Sequence, residues 1–179
     1  MRKVFLTACL LALPAIGAAQ MLRLDNLDRL AAKATETVNV TLDGSLLQMA
    51  SRFISDDSDA DTAQVKKLVA GLKGISIRSF EFKNAGEYAE ADVEAIRSQL
   101  KDETWKRIVQ VHSKTEGDSD IYLKTVAGRI AGLAVIAAEP KQLTVVSIDG
   151  AMDLEGLSKL GGNFGIPKSI RKKAEEKAK

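Results

Sequence analysis

Cysteine is all but missing from this 179-residue chain, with Cys9 the only one, and His112 is the only histidine. A zinc site built from two or three imidazoles of one chain is therefore excluded, and so are sites built from several thiolates. Aromatic residues make up 4%, which leaves few platforms on which bases could stack. The formal net charge of +2 lacks the strongly basic balance of a general nucleic-acid binder. Neither a phosphate-cradling P-loop nor a GxGxxG sequence occurs. After the N-terminus no apolar run is long enough to span a bilayer. What remains is a soluble globular domain. Its 45% hydrophobic content supports one core, and its length is too short for two comfortable domains.

The N-terminus reads as an export signal. Arg2 and Lys3 precede the apolar run Val4 to Leu13, followed by Pro14 and the small residues Ala15, Gly17, Ala18 and Ala19. Cleavage after Ala19 places residues 1–19 in the signal and starts the mature chain at Gln20. Leu6-Thr7-Ala8-Cys9 resembles a lipoprotein box only superficially. Lipidation at Cys9 would leave Leu10 to Ala19 as an apolar stub, so the signal-peptide reading stands. The mature chain then has no cysteine, must rely on its core rather than on disulfides, and belongs in the periplasm or outside the cell. Without Arg2 and Lys3 its net charge is zero, unevenly spread. The tail at 168–179, with Lys168, Arg171, Lys172, Lys173, Lys177 and Lys179 against Glu175 and Glu176, carries +4 and is read as a solvated, partly helical end.

Between these ends, residues 20–167 are read as one domain. Leu24, Leu27, Leu30 and Ala31 predict a short amphipathic helix over 23–34. Thr37 to Leu42 is β-branched and alternating, a strand ended by the Asp43-Gly44 turn. Leu46, Leu47, Ala50, Phe53 and Ile54 mark one face of a second helix. Val65, Leu68, Val69 and Leu72 mark a third, closed near Gly71 to Gly74. Ile75 to Phe82 is a strand whose apolar parity changes, with a bulge expected near Arg78-Ser79. Val93, Ile96 and Leu100 define a helix over 90–101. Trp105 to His112, Ile121 to Val126, Arg129 to Ala137 and Leu143 to Ile148 then read as four strands of an antiparallel meander, separated by hairpin connections. Asp153 to Leu160 closes the series as a short helix. The predicted fold is α+β: a two-layer sandwich of a mainly antiparallel sheet of five or six strands, with helices packed on one face. One internal echo stands out, Val40-Thr41-Leu42-Asp43-Gly44-Ser45-Leu46 against Val146-Ser147-Ile148-Asp149-Gly150-Ala151-Met152. It suggests two equivalent strand-to-helix corners.

Chemical motifs stop short of completion. Asp57, Asp59 and Asp61 begin like a calcium loop, but Thr62 and Leu68 stand where the Gly and the bidentate Glu should be, so they are read as caps of the third helix. Gly156 to Leu160 lacks the last Gly of a nucleophile elbow, and Ser98 with Lys101 lacks the partner motifs of a serine–lysine acyltransferase. Glu87, Glu90, Asp92 and Glu94 complement a helix N-terminus. Asn39-Val40-Thr41 spells a glycosylation sequon inside a predicted strand, where β-propensity accounts for it. His112, alternating with Val109 and Val111, is read as a surface histidine.

Four stretches carry a family likeness: Leu42 to Leu47, Leu72 to Phe82, Ala138 to Val146 and Leu160 to Pro167. Together they resemble the bacterial family called domain of unknown function 4252, over most of residues 34 to 167. The Glu139-Pro140 turn with its Thr144-Val145-Val146 strand, and the ending Gly161-Gly162-Asn163-Phe164-Gly165-Ile166-Pro167, are the more specific parts. The resemblance implies an exported protein of one small domain with no catalytic residues to carry over. It also hints at a place near membrane-bound regulators of extracytoplasmic sigma factors. The basic tail and Asp149 depart from the pattern.

The expected function is that of a non-enzymatic envelope protein, an interaction or signalling-accessory module whose partner is an envelope or inner-membrane regulatory protein. No catalytic, cofactor-binding or metal-binding residue is assigned, and no cofactor is expected. The alternative is a periplasmic small-ligand binder or a hydrolase using carboxylates and serine, for which Asp149, Glu139 and Ser158 are the residues to watch. Phe164 and Ile166 are expected to fold back onto the domain, with Pro167 marking the exit to the tail.

Overall fold

A computed structural model describes residues 21–53, 66–67 and 69–152 of the chain. The export signal, Asp57 to Asp61, Leu68, the helix and Ser158 within 153–160, the Phe164–Ile166 segment and the basic tail lie outside the described residues.

Six strands form one sheet in the order β1-β2-β6-β5-β4-β3, every neighbouring pair antiparallel. They are β1 (Glu36–Asp43), β2 (Leu72–Glu81), β3 (Trp105–Ser113), β4 (Gly117–Val126), β5 (Arg129–Glu139) and β6 (Gln142–Met152). The four-strand meander predicted for the second half is present. Ala127 (φ 50°) and Gly128 (φ 74°) together make the β4–β5 reversal, the two successive positive φ values of a tight hairpin turn. Two α-helices, α1 (Gly44–Phe53) and α2 (Glu90–Arg97), and two 3₁₀ segments (Asp25–Ala32 and Ser98–Leu100) complete the described elements, apart from helical residues at 66–67 and 69–71. The architecture is α+β.

The first helix winds as 3₁₀ rather than α. Leu24, Leu27 and Leu30 recur every third residue, the period at which 3₁₀ side chains eclipse, and all three are buried in the main core. There they meet Val93 and Ile96 of α2, Leu100, and Phe80, Ile136, Leu143 and Val145 of the sheet.

Two expectations for β2 and β6 are corrected. The β2–β6 register runs unbroken from Gly74 to Glu81, so no bulge lies at Arg78-Ser79; the irregularity falls between Leu72 and Gly74. Ile75 and Ile77 consequently point to the face opposite Phe80. The parity change is genuine because both faces carry apolar material. Arg78 shares the Phe80 face and is buried there. Its guanidinium donates to Asp28 Oδ1 (3.2 Å), Thr41 Oγ1 (3.2 Å) and the Ile77 carbonyl (3.2 Å). The last strand, expected to end at Ile148, continues through Asp149 and Gly150 to Met152.

α1 also differs from expectation. Only Leu47 of the predicted Leu46–Leu47–Ala50 face is buried, while Leu46 is exposed. Leu47 packs with Leu72 and Met152 in a second cluster that touches Ile75, Leu133 and Ile148, side chains of the face away from Phe80. Helical packing is therefore not gathered on one face of the sheet. The third predicted helix closes at Gly71, within the expected Gly71–Gly74 stretch, but Leu72, read as part of its face, already belongs to β2.

Candidate functional site

At one end of the Phe80 face the sheet opens into a cleft of about 1080 Å³. Its walls come from the N-terminal segment around Met21 to Asn26, the start of β3, the β4–β5 hairpin and the end of β6. Gln99 fixes the N-terminal wall. It accepts a hydrogen bond from the Arg23 amide (2.9 Å) and donates one to the Arg23 carbonyl (3.0 Å).

Trp105 and Asp149 stand out in this cleft. A Cβ added at Gly132 would lie 3.4 Å from the Trp105 ring and 3.2 Å from Lys124 Cβ, so the absence of a side chain lets the indole lie across β5. Lys124 Nζ sits 5.6 Å from the ring centroid, within cation–π range. Asp149, opposite Gly132 in the register, is 6% exposed and has no hydrogen-bond or ion-pair partner among the described residues. Its carboxylate lines the cleft together with Lys73, Lys124 and Arg129. The backbone forces its placement. Gly150 takes φ 140°, and a Cβ there would fall 2.5 Å from Leu72 Cα and 2.6 Å from the Gly71 carbonyl oxygen. At the cleft rim the Thr104 hydroxyl and amide hold the Asp102 carboxyl below its usual range.

The other end of the same face is charged too, but satisfied. Asp120, 1% exposed, accepts from Arg97 Nε (2.9 Å) and Arg107 Nη1 (3.5 Å). Burial opposes the Arg97 charge, yet Asp120, Glu90 and Asp118 together raise its pKa further above its ordinary value. His112 is exposed, as expected, and pairs with Asp118 at 2.5 Å. The Tyr88 hydroxyl donates to the Glu139 carbonyl (2.5 Å), and burial, with Glu90 and Glu139 nearby, pushes its pKa up to about 12.

Of the residues singled out in the sequence, Asp149 lies in the cleft and Glu139 does not. Glu139 pairs with Gln142 at the far end of β5 and β6, seven residues from the Gly132–Asp149 pair, or roughly 23 Å along the strands. The two carboxylates cannot act on a common atom. Trp105, Lys124 and Gly132 escaped the sequence reading. The only available signal was a lone tryptophan opening one strand and a glycine interrupting another.

The opposite face of the sheet forms a second candidate surface. Val40 of β1, Ile77 of β2, Val146 of β6, Val135 of β5, Ile121 of β4 and Val109 of β3 follow one another across all six strands. They are half-buried and belong to neither core cluster. Val38 on the same face is 41% exposed.

No relative is found among curated proteins. The family described as Domain of unknown function (DUF4252) matches residues 32–160, and Leu22, Leu24, Leu27 and Leu30, which precede that span, are built into the same core. With most of its length matched, and with the sheet and its two surfaces lying almost wholly inside the match, this chain belongs to the DUF4252 family.

Proposed function

We propose that this protein is an exported, non-enzymatic contact module of the bacterial envelope that binds another envelope protein through the aliphatic row on the sheet face away from Phe80. The observation that carries this reading is the continuous aliphatic row from Val40 to Val109. Contiguous apolar patches of that kind mark sites where a protein partner excludes water. The signal-like N-terminus supports export, and the family resemblance supports a membrane-bound regulator as partner. The finer fold reading that goes with it is a two-layer core, with Leu24, Leu27, Leu30 and α2 packed on the Phe80 face of the sheet and the partner as a third layer on the other.

The test is photo-crosslinking in the native envelope from a benzophenone side chain placed at Val135 or Ile121, compared with one at the exposed Glu94. A discrete adduct with one membrane protein, formed from the sheet face and not from Glu94, is the expected result. The same adducts from all three positions, or none from the face, would overturn the proposal.

A second reading rests on Asp149. A nine-tenths buried carboxylate with no partner among the described residues, lining one cleft with an indole, suits the cationic group of a small ligand, an amine or guanidinium. Trp105 is the only tryptophan, so its fluorescence reports on this cleft. Titration with arginine, lysine and a polyamine should shift the emission of the native protein and not that of Asp149→Asn. Identical responses from both proteins would remove this reading.

A further inference from the structure

The two edges of the sheet are built differently. β3 forms one edge, and its ladder is broken by a register shift between Arg107 and Val109, with Lys106 and Arg107 beside the break. A bulge and charged side chains are devices that keep an edge strand from pairing with another chain. β1, at the other edge, has neither. Its register with β2 runs without a shift from Glu36 to Asp43, its only charges stand at its two ends, and it contains no proline. Its side chains are mostly exposed, and an antiparallel ladder leaves every second N–H and C=O on the outer side of an edge strand free for a further strand.

The sequence of that edge is self-complementary. Thr37-Val38-Asn39-Val40-Thr41 reads the same in both directions about Asn39. When two copies are laid antiparallel on a two-fold axis through Asn39, Thr37 stands opposite Thr41 of the second copy, Val38 opposite Val40, and Asn39 opposite Asn39. Thr–Thr and β-branched pairs directly across a ladder are favourable, and no like charges meet. Both Val38 and Val40 project to the apolar face, so the pairing keeps that face continuous from one copy to the next. A two-fold interface requires the same patch to fit itself, and this strand does.

We infer that β1 is a homodimerisation edge: two copies of this chain join β1 to β1 antiparallel about Asn39, making one twelve-stranded sheet. The inference does not depend on the partner or ligand readings above.

Sedimentation equilibrium on the exported protein tests it with a charge swap. Both variants carry Thr41→Glu, so the Arg78 contact to Thr41 is altered equally in each; they differ only at Thr37, an exposed position. Thr37→Glu with Thr41→Glu places like charges opposite each other twice and should weaken the dimer about tenfold or more. Thr37→Lys with Thr41→Glu places opposite charges there twice and should restore it. Asn39→Cys in a Cys9→Ser background should form an interchain disulfide, because its Cα meets its own copy across one ladder step. Thr37→Cys in that background should not, since its two copies stand about 14 Å apart along the strands. A monomer at 100 micromolar for the native protein, equal dimer strength for the two charge variants, or equal crosslinking at 37 and 39 would each overturn the inference.

Discussion

Asp43-Gly44 and Asp149-Gly150 occupy matching places in two nearly parallel stretches of sequence, and the structure uses them in opposite ways. At the first, the strand ends. Asp43 Oδ1 accepts from the Leu46 amide (2.9 Å) and the Ser45 hydroxyl (2.5 Å), and α1 starts. At the second, β6 runs straight through, Gly150 takes a positive φ, and Asp149 is buried at the head of a cleft with no partner among the described residues. The difference lies in the neighbours. β1 is an edge strand, free to turn away after Asp43. β6 is clamped between β2 and β5, whose ladders continue to Leu72 and Ile130 on either side. A strand–Asp-Gly–helix pattern therefore acts as a corner only where the sheet lets the chain leave.

The sharpest break in this comparison should come from the glycines. Gly150→Ala adds a Cβ 2.5 Å from Leu72 Cα at a φ that L-residues rarely adopt. Strain and clash together should cost about 3 kcal/mol, which is roughly 6–12 °C in melting temperature for a chain of this size. Gly44→Ala comes nearest the Lys73 carbonyl oxygen, at 3.1 Å, with the rest of the Lys73 backbone at ordinary contact distance and no positive φ. It should move the melting temperature by no more than about 2 °C. Equal losses in a thermal melt would mean that Gly150 is no more constrained than Gly44.

The aspartates should differ in sign. Asp43→Ala removes a helix cap and should lower the melting temperature by a few degrees. Asp149→Asn keeps the shape and removes a largely buried charge that has no partner among the described residues, so the melting temperature should stay level or rise. A fall for Asp149→Asn as large as that for Asp43→Ala would show that the carboxylate holds the fold together, and the cleft would lose its candidate ligand group.

The smallest effect is in acid. The Ser45 hydroxyl, aided by the Leu46 amide, holds the Asp43 carboxyl below its ordinary 3.8. A carboxyl lowered by folding stabilises the protein above the unfolded value, and the contribution is lost as pH falls through the folded one. The stability gap between the native protein and Asp43→Ala should therefore be constant from pH 7 to about 5 and narrow below pH 3.8. A gap unchanged down to pH 2 in acid titration followed by circular dichroism would mean that the cap does not depend on ionised Asp43.

Legibility followed the range of the interactions. The TVNVTL alternation, the Ala127-Gly128 reversal and the α+β class could be read from local pattern, because strand alternation and turn chemistry are settled within a few residues. The 3₁₀ winding could have been read as well, since three leucines at intervals of three describe that helix better than an α-helix. The β2 bulge was misplaced for a different reason. A change of apolar parity signals either a bulge or a strand with two apolar faces, and the choice between them depends on what packs against each face.

The candidate sites divide along the same line. By itself the sequence determined the residue inventory: one histidine, one tryptophan, almost no cysteine and a palindromic strand. It thereby determined which chemistries the chain lacks and that β1 matches itself. Only the tertiary structure decided that β1 stands at an edge, where self-matching matters, and that Trp105 lies over Gly132 beside Asp149. It also put Glu139 at the far end of the same strands. The reason is that edge or centre, and near or far, are properties of strand order and register, set by pairings between residues as much as 78 positions apart, as between Leu72 and Gly150.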